Sequence, residues 1–250
     1  MTQTAVFRRP LFPSIRRLTA LLVLALASAT GVAADPIRYA TYDSFTLYKA
    51  DPGPLKDDVL FVFHGFGSAV PNGAYKRVDK VFRQHYSVIG FNYDYFDFAA
   101  NDAFMDQVWT EILKDRNVTF VGTSLGGFWA NYYAQIYGVT REILVNPAVD
   151  PAEQLKQFIG ILAVEKRNQV IDVTAEAVES YRARTVAPQP GIDRLVILSR
   201  DDAVLDYRLA ERAYDLPDTT MLIFDDGGHT VDMRQARYLD AIGAFLKTDG

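Results

Sequence analysis

Val118-Thr119-Phe120-Val121-Gly122-Thr123-Ser124-Leu125-Gly126-Gly127-Phe128-Trp129-Ala130 decides how the rest of this chain is read. An apolar run rich in β-branched residues meets Gly-x-Ser-x-Gly, and an Ala- and aromatic-rich segment follows. That order reads as strand, sharp turn and helix, the arrangement of a nucleophile elbow, which lifts a serine hydroxyl above the sheet edge. Gly122 and Gly126 flank the serine where a Cβ would crowd the neighbouring strand and helix. The following helix points its N-terminus at the serine and favours negative charge developing there. The five-residue motif alone is weakly specific. The strand before it and the helix after it make Ser124 a candidate nucleophile.

Working outward, strands and helices alternate from about residue 59. Residues 59–63 form a continuous apolar run, as expected of a strand buried on both faces, and lead into His64-Gly65-Phe66-Gly67-Ser68. A helix is predicted over 74–86 with Val78, Val81 and Phe82 on one face. A strand over 87–93 follows, then a helix capped by Asn101 and running to about 115. Beyond the elbow come a strand ending at Asn146-Pro147, strands over 194–199 and 219–224, and helices over 206–214 and to about 246. Residues 37–48 read as a first strand or strand pair. Residues 151–190 are charged and helical in pattern, and are inserted between two strands where a small lid over the site is expected. The alternation implies an α/β fold with a mostly parallel sheet covered by helices on both faces. Function then belongs at the carboxyl ends of the strands.

Composition bounds the rest. The chain has 250 residues, 49% hydrophobic and 23% charged, which suits one globular domain. It holds no cysteine, so disulfides, thiolate metal sites and a cysteine nucleophile are excluded. Net charge is −5, with no basic cluster outside the N-terminus, so no nucleic-acid partner is expected. Arg8, Arg9, Arg16 and Arg17 precede an apolar stretch over 18–27 and small residues ending Val32-Ala33-Ala34. Residues 1–34 therefore read as a secretory signal cleaved after Ala34, leaving an α/β domain over 35–250. The expected location is exported, periplasmic or secreted, with membrane contact only through that signal. Paired arginines also admit twin-arginine export.

Four strand ends carry the chemistry. They deliver His64-Gly65-Phe66-Gly67, then Ser124, then Arg200-Asp201-Asp202, then Asp225-Asp226-Gly227-Gly228-His229. The order Ser, Asp, His is that of the α/β-hydrolase triad. A serine hydroxyl needs a base, and His229 follows two glycines that let its loop bend toward Ser124. His64 precedes the serine and reads as structural. His85 falls in a surface helix. For the acid, Asp150 and Asp206 each suit a helix cap, while Asp201 and Asp202 share the turn after Leu198. The amides of Phe66 and Leu125 are the expected oxyanion donors, with the Phe66 ring lining the acyl pocket. Tyr93 and Tyr95 follow a strand and are candidates to frame that pocket. Asp94 and Asp97 read as a solvated turn rather than a metal site. No cofactor and no metal are expected.

At these residues the chain resembles the YqiA/YcfP family of small α/β-hydrolase-fold esterases. The resemblance rests on Phe63-His64-Gly65-Phe66, the elbow itself, Val145-Asn146-Pro147-Ala148-Val149, Leu195 to Asp202 with Val204-Leu205-Asp206-Tyr207, and Gly227-Gly228-His229. It implies an esterase acting on acyl esters or thioesters, with Ser124, Asp202 and His229 as its triad. Asp202 is the residue standing where the family pattern places its acid, ahead of Leu205-Asp206-Tyr207. The export signal and residues 35–58 are extra to the pattern, and Asp201 replaces a usual glycine. Export would also separate the protein from acyl-CoA. The substrate expected is a small-molecule or lipid-like ester. The alternatives are a lipase, thioesterase or peptidase on the same triad, or a non-catalytic binding protein of the same fold.

Overall fold

The computed structural model describes residues 37–42 and 45–247. The expected signal segment lies outside them. The strands are β1 (Ile37–Tyr42), β2 (Phe45–Lys49), β3 (Asp58–Phe63), β4 (Ser87–Phe91), β5 (Asn117–Thr123), β6 (Arg141–Val145), β7 (Gly160–Val164), β8 (Gln169–Val173), β9 (Asp193–Ser199) and β10 (Thr219–Phe224). The helices are α1 (Gly73–Phe82), α2 (Phe98–Val108), α3 (Leu125–Tyr137), α4 (Pro151–Gln154), α5 (Ala175–Glu179), α6 (Tyr207–Ala213) and α7 (Ala236–Leu246).

Eight strands form one sheet in the order β1-β2-β4-β3-β5-β6-β9-β10. β2 is antiparallel to β1 and to β4, and the remaining neighbours are parallel. The pleat sorts the apolar runs onto two faces. Val59, Phe61 and Phe63 of β3 join one core with Phe91, Phe120, Trp129 and Tyr133, under α2 and α3. Leu60 and Val62 join the other with Val88, Val121, Ile143 and Ile197, under α1 and α7. Filling both faces is why these strands read as continuous rather than alternating apolar runs. Across the β6–β9 register, Glu142 lies opposite Arg194, and the two form a fully buried ion pair at 2.5 Å. Burial pushes the Glu142 carboxyl up, against the attraction of Arg194.

Three details differ from the sequence reading. The buried face of α1 is Tyr75, Val78 and Asp79, and Val81 is 47% exposed. Val81 lies off the i, i+3, i+4, i+7 stripe that runs from Tyr75 to Phe82. The helix ends at Phe82, so His85 stands in the exposed turn beyond it. The cap of α2 is Asp97, which accepts from the Ala100 amide at 3.0 Å. Asn101 is instead buried inside α2, where its side chain pairs both main-chain groups of Asp94 at 2.9 and 2.6 Å.

The insertion between β6 and β9 is not purely helical. α4, a 3-10 turn over Leu155–Phe158, the hairpin β7–β8, α5 and a 3-10 turn over Ser180–Arg184 follow in succession. The hairpin forms because two β-branched runs flank a turn closed by Asn168 in the left-handed region, at φ 47°. Leu162, Val164, Ile171 and Val173 face inward, while Ile161 and Val170 face solvent at 73% and 69% exposure. Among the described residues no helix is long and apolar enough to cross a membrane.

Candidate active site

The elbow has the backbone its sequence demands. Ser124 sits between β5 and α3 at φ 54°, ψ −124°, a conformation few non-glycine residues adopt. The strain is held by three main-chain bonds. Ser124 donates to Val145 O at 3.0 Å and accepts at its carbonyl from the Gly127 and Ala148 amides at 2.8 and 2.9 Å. A Cβ on Gly122 would lie 2.6 Å from Gly127 Cα, and one on Gly126 would collide with the carbonyl of Phe63. The turn therefore requires glycine at both positions for close approach, as the motif suggests.

Three loops bring the remaining residues to the serine. His229 Nε2 lies 2.9 Å from Ser124 Oγ, and His229 Nδ1 lies 2.8 Å from Asp202 Oδ2. The second Asp202 oxygen accepts the Val204 and Leu205 amides at 2.8 and 2.9 Å, which fixes the carboxylate within its turn. The Asp202 side chain is 1% exposed. Burial works against its ionisation, but the His229 bond and the two amides outweigh that and hold its carboxyl below the ordinary range. Asp206 caps α6 and Asp150 caps α4, so neither reaches the histidine. Asp201 points the other way and accepts the Gly228 amide at 2.8 Å.

Leu125 opens α3, and Phe66 stands in the loop after β3. Both line a cavity of about 240 Å³ with Ser124 and His229. The loop passes close to Ser124, since a Cβ on Gly65 would lie 3.3 Å from Ser124 Cβ. Tyr93 and Tyr95 are buried and lie outside that lining. Their hydroxyls donate to His64 O at 2.6 Å and Ser68 O at 2.9 Å. Tyr93 stacks on His64 and Tyr95 packs edge-on against Phe66. The two tyrosines thus brace the loop carrying Phe66 from behind. Burial pushes both phenols up, which keeps them as neutral donors. Asp94 and Asp97 serve their own turn and helix cap.

Two residues went unweighed in the sequence. Asn146, at φ 42° after β6, is buried. Its side-chain amide donates to the carbonyls of Gly228 and His229, both at 3.0 Å, and accepts from the Ser199 amide at 2.9 Å. It ties the His229 loop to the end of β9. Arg167, in the hairpin turn, donates to Tyr93 O at 3.1 Å and lies over the Tyr95 ring at 5.0 Å. An Asn before a proline at a strand end was the available signal for the first; nothing local marks the second.

The model of UPF0227, an uncharacterised protein family, matches residues 59–247. The chain belongs to this family. UPF0227 is the YqiA/YcfP family that the elbow, the Asn146 strand end and the Asp202 turn resemble. A UPF0227 protein of Serratia proteamaculans is 31% identical over 97 residues, 38% of this chain and 47% of its own length. One from Yersinia pseudotuberculosis is 28% identical over 132 residues, 52% of this chain and 66% of its own. The chain thus spans about half to two thirds of the curated relatives it matches. Among solved structures, the Pyrococcus furiosus esterase Pf2001 superposes with a TM-score of 0.59 at 16% identity, covering 85% of this chain and 90% of that one. Est1E from Butyrivibrio proteoclasticus gives 0.62 at 13% identity, covering 81% and 93%. At such identities the likeness speaks for the fold, which is the α/β-hydrolase fold.

Proposed function

We propose that this protein is an exported serine esterase that hydrolyses carboxylic esters through Ser124, His229 and Asp202. The observation that carries the reading is the unbroken relay from Ser124 Oγ through both ring nitrogens of His229 to Asp202, at 2.9 and 2.8 Å. The esterases among its structural neighbours support hydrolase chemistry on this fold.

Ser124 Oγ attacks the ester carbonyl while His229 Nε2 takes its proton. Asp202, ionised because its carboxyl is held low, accepts from Nδ1–H and stabilises the imidazolium. The oxyanion forms against the amides of Phe66 and Leu125, and each such donor contributes about 3 kcal/mol to the transition state. The imidazolium gives its proton to the departing alkoxide, leaving an acyl-serine. Water, deprotonated by His229, attacks that acyl group; the same proton returns to Ser124 Oγ as the acid leaves. Gln154, Leu155, Phe158 and Leu162 of the insertion line the cavity with Ser124, so the insertion shapes the acyl site and keeps water from it.

The test is labelling of the purified protein by a fluorophosphonate together with a p-nitrophenyl ester panel. Labelling and turnover that both vanish in a folded Ser124→Ala variant are expected. A labelled residue other than Ser124 would sink the assignment, and turnover without labelling would point to other chemistry. For export, sequencing of the mature protein from cells should begin at Asp35; material beginning at Met1 would point to an uncleaved anchor instead.

A further inference from the structure

Ser124 and His229 stand where two unlike cavities meet. One, of about 240 Å³, is the more enclosed and is walled by Phe66, Leu125, Leu155, Phe158, Leu162 and Leu205. The other, of about 540 Å³, is more open and extends over α1 and the residues after His229. Its charged lining is Arg77, Asp232 and Arg234, a net excess of one positive charge. Asp232 and Arg234 neutralise each other through a two-pronged pair, Nε–Oδ1 and Nη2–Oδ2 both at 2.8 Å. That hydrogen-bonded pairing, with a weaker pull from Arg77, draws the Asp232 carboxyl down to about 2. Arg77 is half-buried and has no hydrogen bond or ion pair among the described residues. Its one carboxylate neighbour in this lining, Asp232, is already held by Arg234, so the cleft keeps one positive charge in excess and Arg77 presents it to an incoming anion.

We propose, resting on the esterase reading, that the two cavities divide the substrate. The apolar one takes an apolar acyl chain, and the more open one takes an alcohol portion bearing a carboxylate or phosphate that pairs with Arg77. The direction follows from the chemistry. His229 lines both cavities, so its Nε2 can protonate an alcohol leaving on either side; polarity decides, because an anionic alcohol portion stays solvated and paired in the open cavity and is excluded from the apolar one. The acyl chain then fills the remaining space, which is the apolar one. Its size sets a limit. A cavity of about 150 Å³ holds the six carbons of benzene, so 240 Å³ holds about ten carbons. A longer chain must leave one end in water.

The experiment assays the full chain on two octanoate esters, p-nitrophenyl octanoate and its analogue carrying a ring carboxylate. The readout is the ratio of kcat/KM for the anionic ester over the neutral one. Replacing a partly buried cation by a neutral group should lower that ratio about tenfold in Arg77→Gln, and Arg77→Lys should recover most of it. The neutral series from butyrate to palmitate should peak at or below about ten carbons. A ratio equal in wild type, Arg77→Gln and Arg77→Lys overturns the anion site, and a peak at palmitate overturns the acyl assignment. These outcomes leave the esterase reading standing. Absence of any Ser124-dependent turnover on all these esters overturns both.

Discussion

Asn146 offers the sharpest test of how the site is held together. Its side chain makes three bonds of 2.9–3.0 Å to main-chain groups of Ser199, Gly228 and His229. A typical net contribution is about 1 kcal/mol per bond, so deleting all three costs about 3 kcal/mol. The backbone adds a second, separable effect. At φ 42° alanine costs about 1 kcal/mol more than glycine, which adopts this region freely. Asn146→Gly should therefore lose about 3 kcal/mol and Asn146→Ala about 4. Urea unfolding with an unchanged slope measures both. The same change frees the loop that sets His229 against Ser124. A shift of about 1 Å in such a group can cost on the order of 100-fold, so fluorophosphonate labelling of Ser124 should slow by at least about tenfold. Variants within about 0.5 kcal/mol of wild type, labelled at the wild-type rate, would refute the idea that Asn146 positions the histidine.

Other perturbations separate catalysis from stability. Asp202→Asn should lower kcat by up to about 10⁴ through the wrong histidine tautomer, measured on a soluble ester. Because the Asp202 carboxyl is held low in the fold, its stabilisation is complete above the ordinary carboxylate range near pH 4 and is lost as pH falls through the depressed value. The stability gap between wild type and Asp202→Asn should thus narrow below about pH 4 in acid-titrated unfolding. Arg194→Met strands Glu142 in the core and should cost about 3–5 kcal/mol by denaturant unfolding. Arg194→Met with Glu142→Leu should cost clearly less. Ser124→Gly removes the proposed nucleophile and relieves its positive φ, so it should abolish labelling yet raise stability by about 1 kcal/mol.

The parts of this structure that follow from short-range pattern were legible in the sequence. Continuous apolar runs marked β3, β5, β6 and β9 because each is buried on both faces, and Gly-x-Ser-x-Gly marked the elbow because close approach forbids a Cβ there. The His229 loop was legible from its two glycines and its place after the last strand. Other features depend on contacts between distant segments. The charged composition of 151–190 suggests helices, yet the inward stripe of Leu162, Val164, Ile171 and Val173 finds a core to pack on and so makes a hairpin. Tyr93 and Tyr95 have the composition of a pocket wall. Only the three-dimensional arrangement turns their hydroxyls onto His64 O and Ser68 O, behind the loop they support.

The choice between Asp201 and Asp202 shows how adjacent carboxylates acquire different work. Successive side chains in a turn diverge, so one aspartate meets the His229 ring and the other meets the backbone of its loop. Asp201 holds the Gly228 amide, Asn146 holds the Gly228 and His229 carbonyls, and Asp202 holds the ring. The histidine is therefore fixed from three sides by groups at the ends of β6 and β9. Those strands are neighbours in register from Arg141↔Asp193 to Val145↔Ile197, so the rigidity of the sheet passes directly to the imidazole. A relay built on a loop alone would have to order that loop each time substrate binds. Under the proposed esterase reading, a histidine anchored to the sheet in this way leaves binding energy available for the transition state.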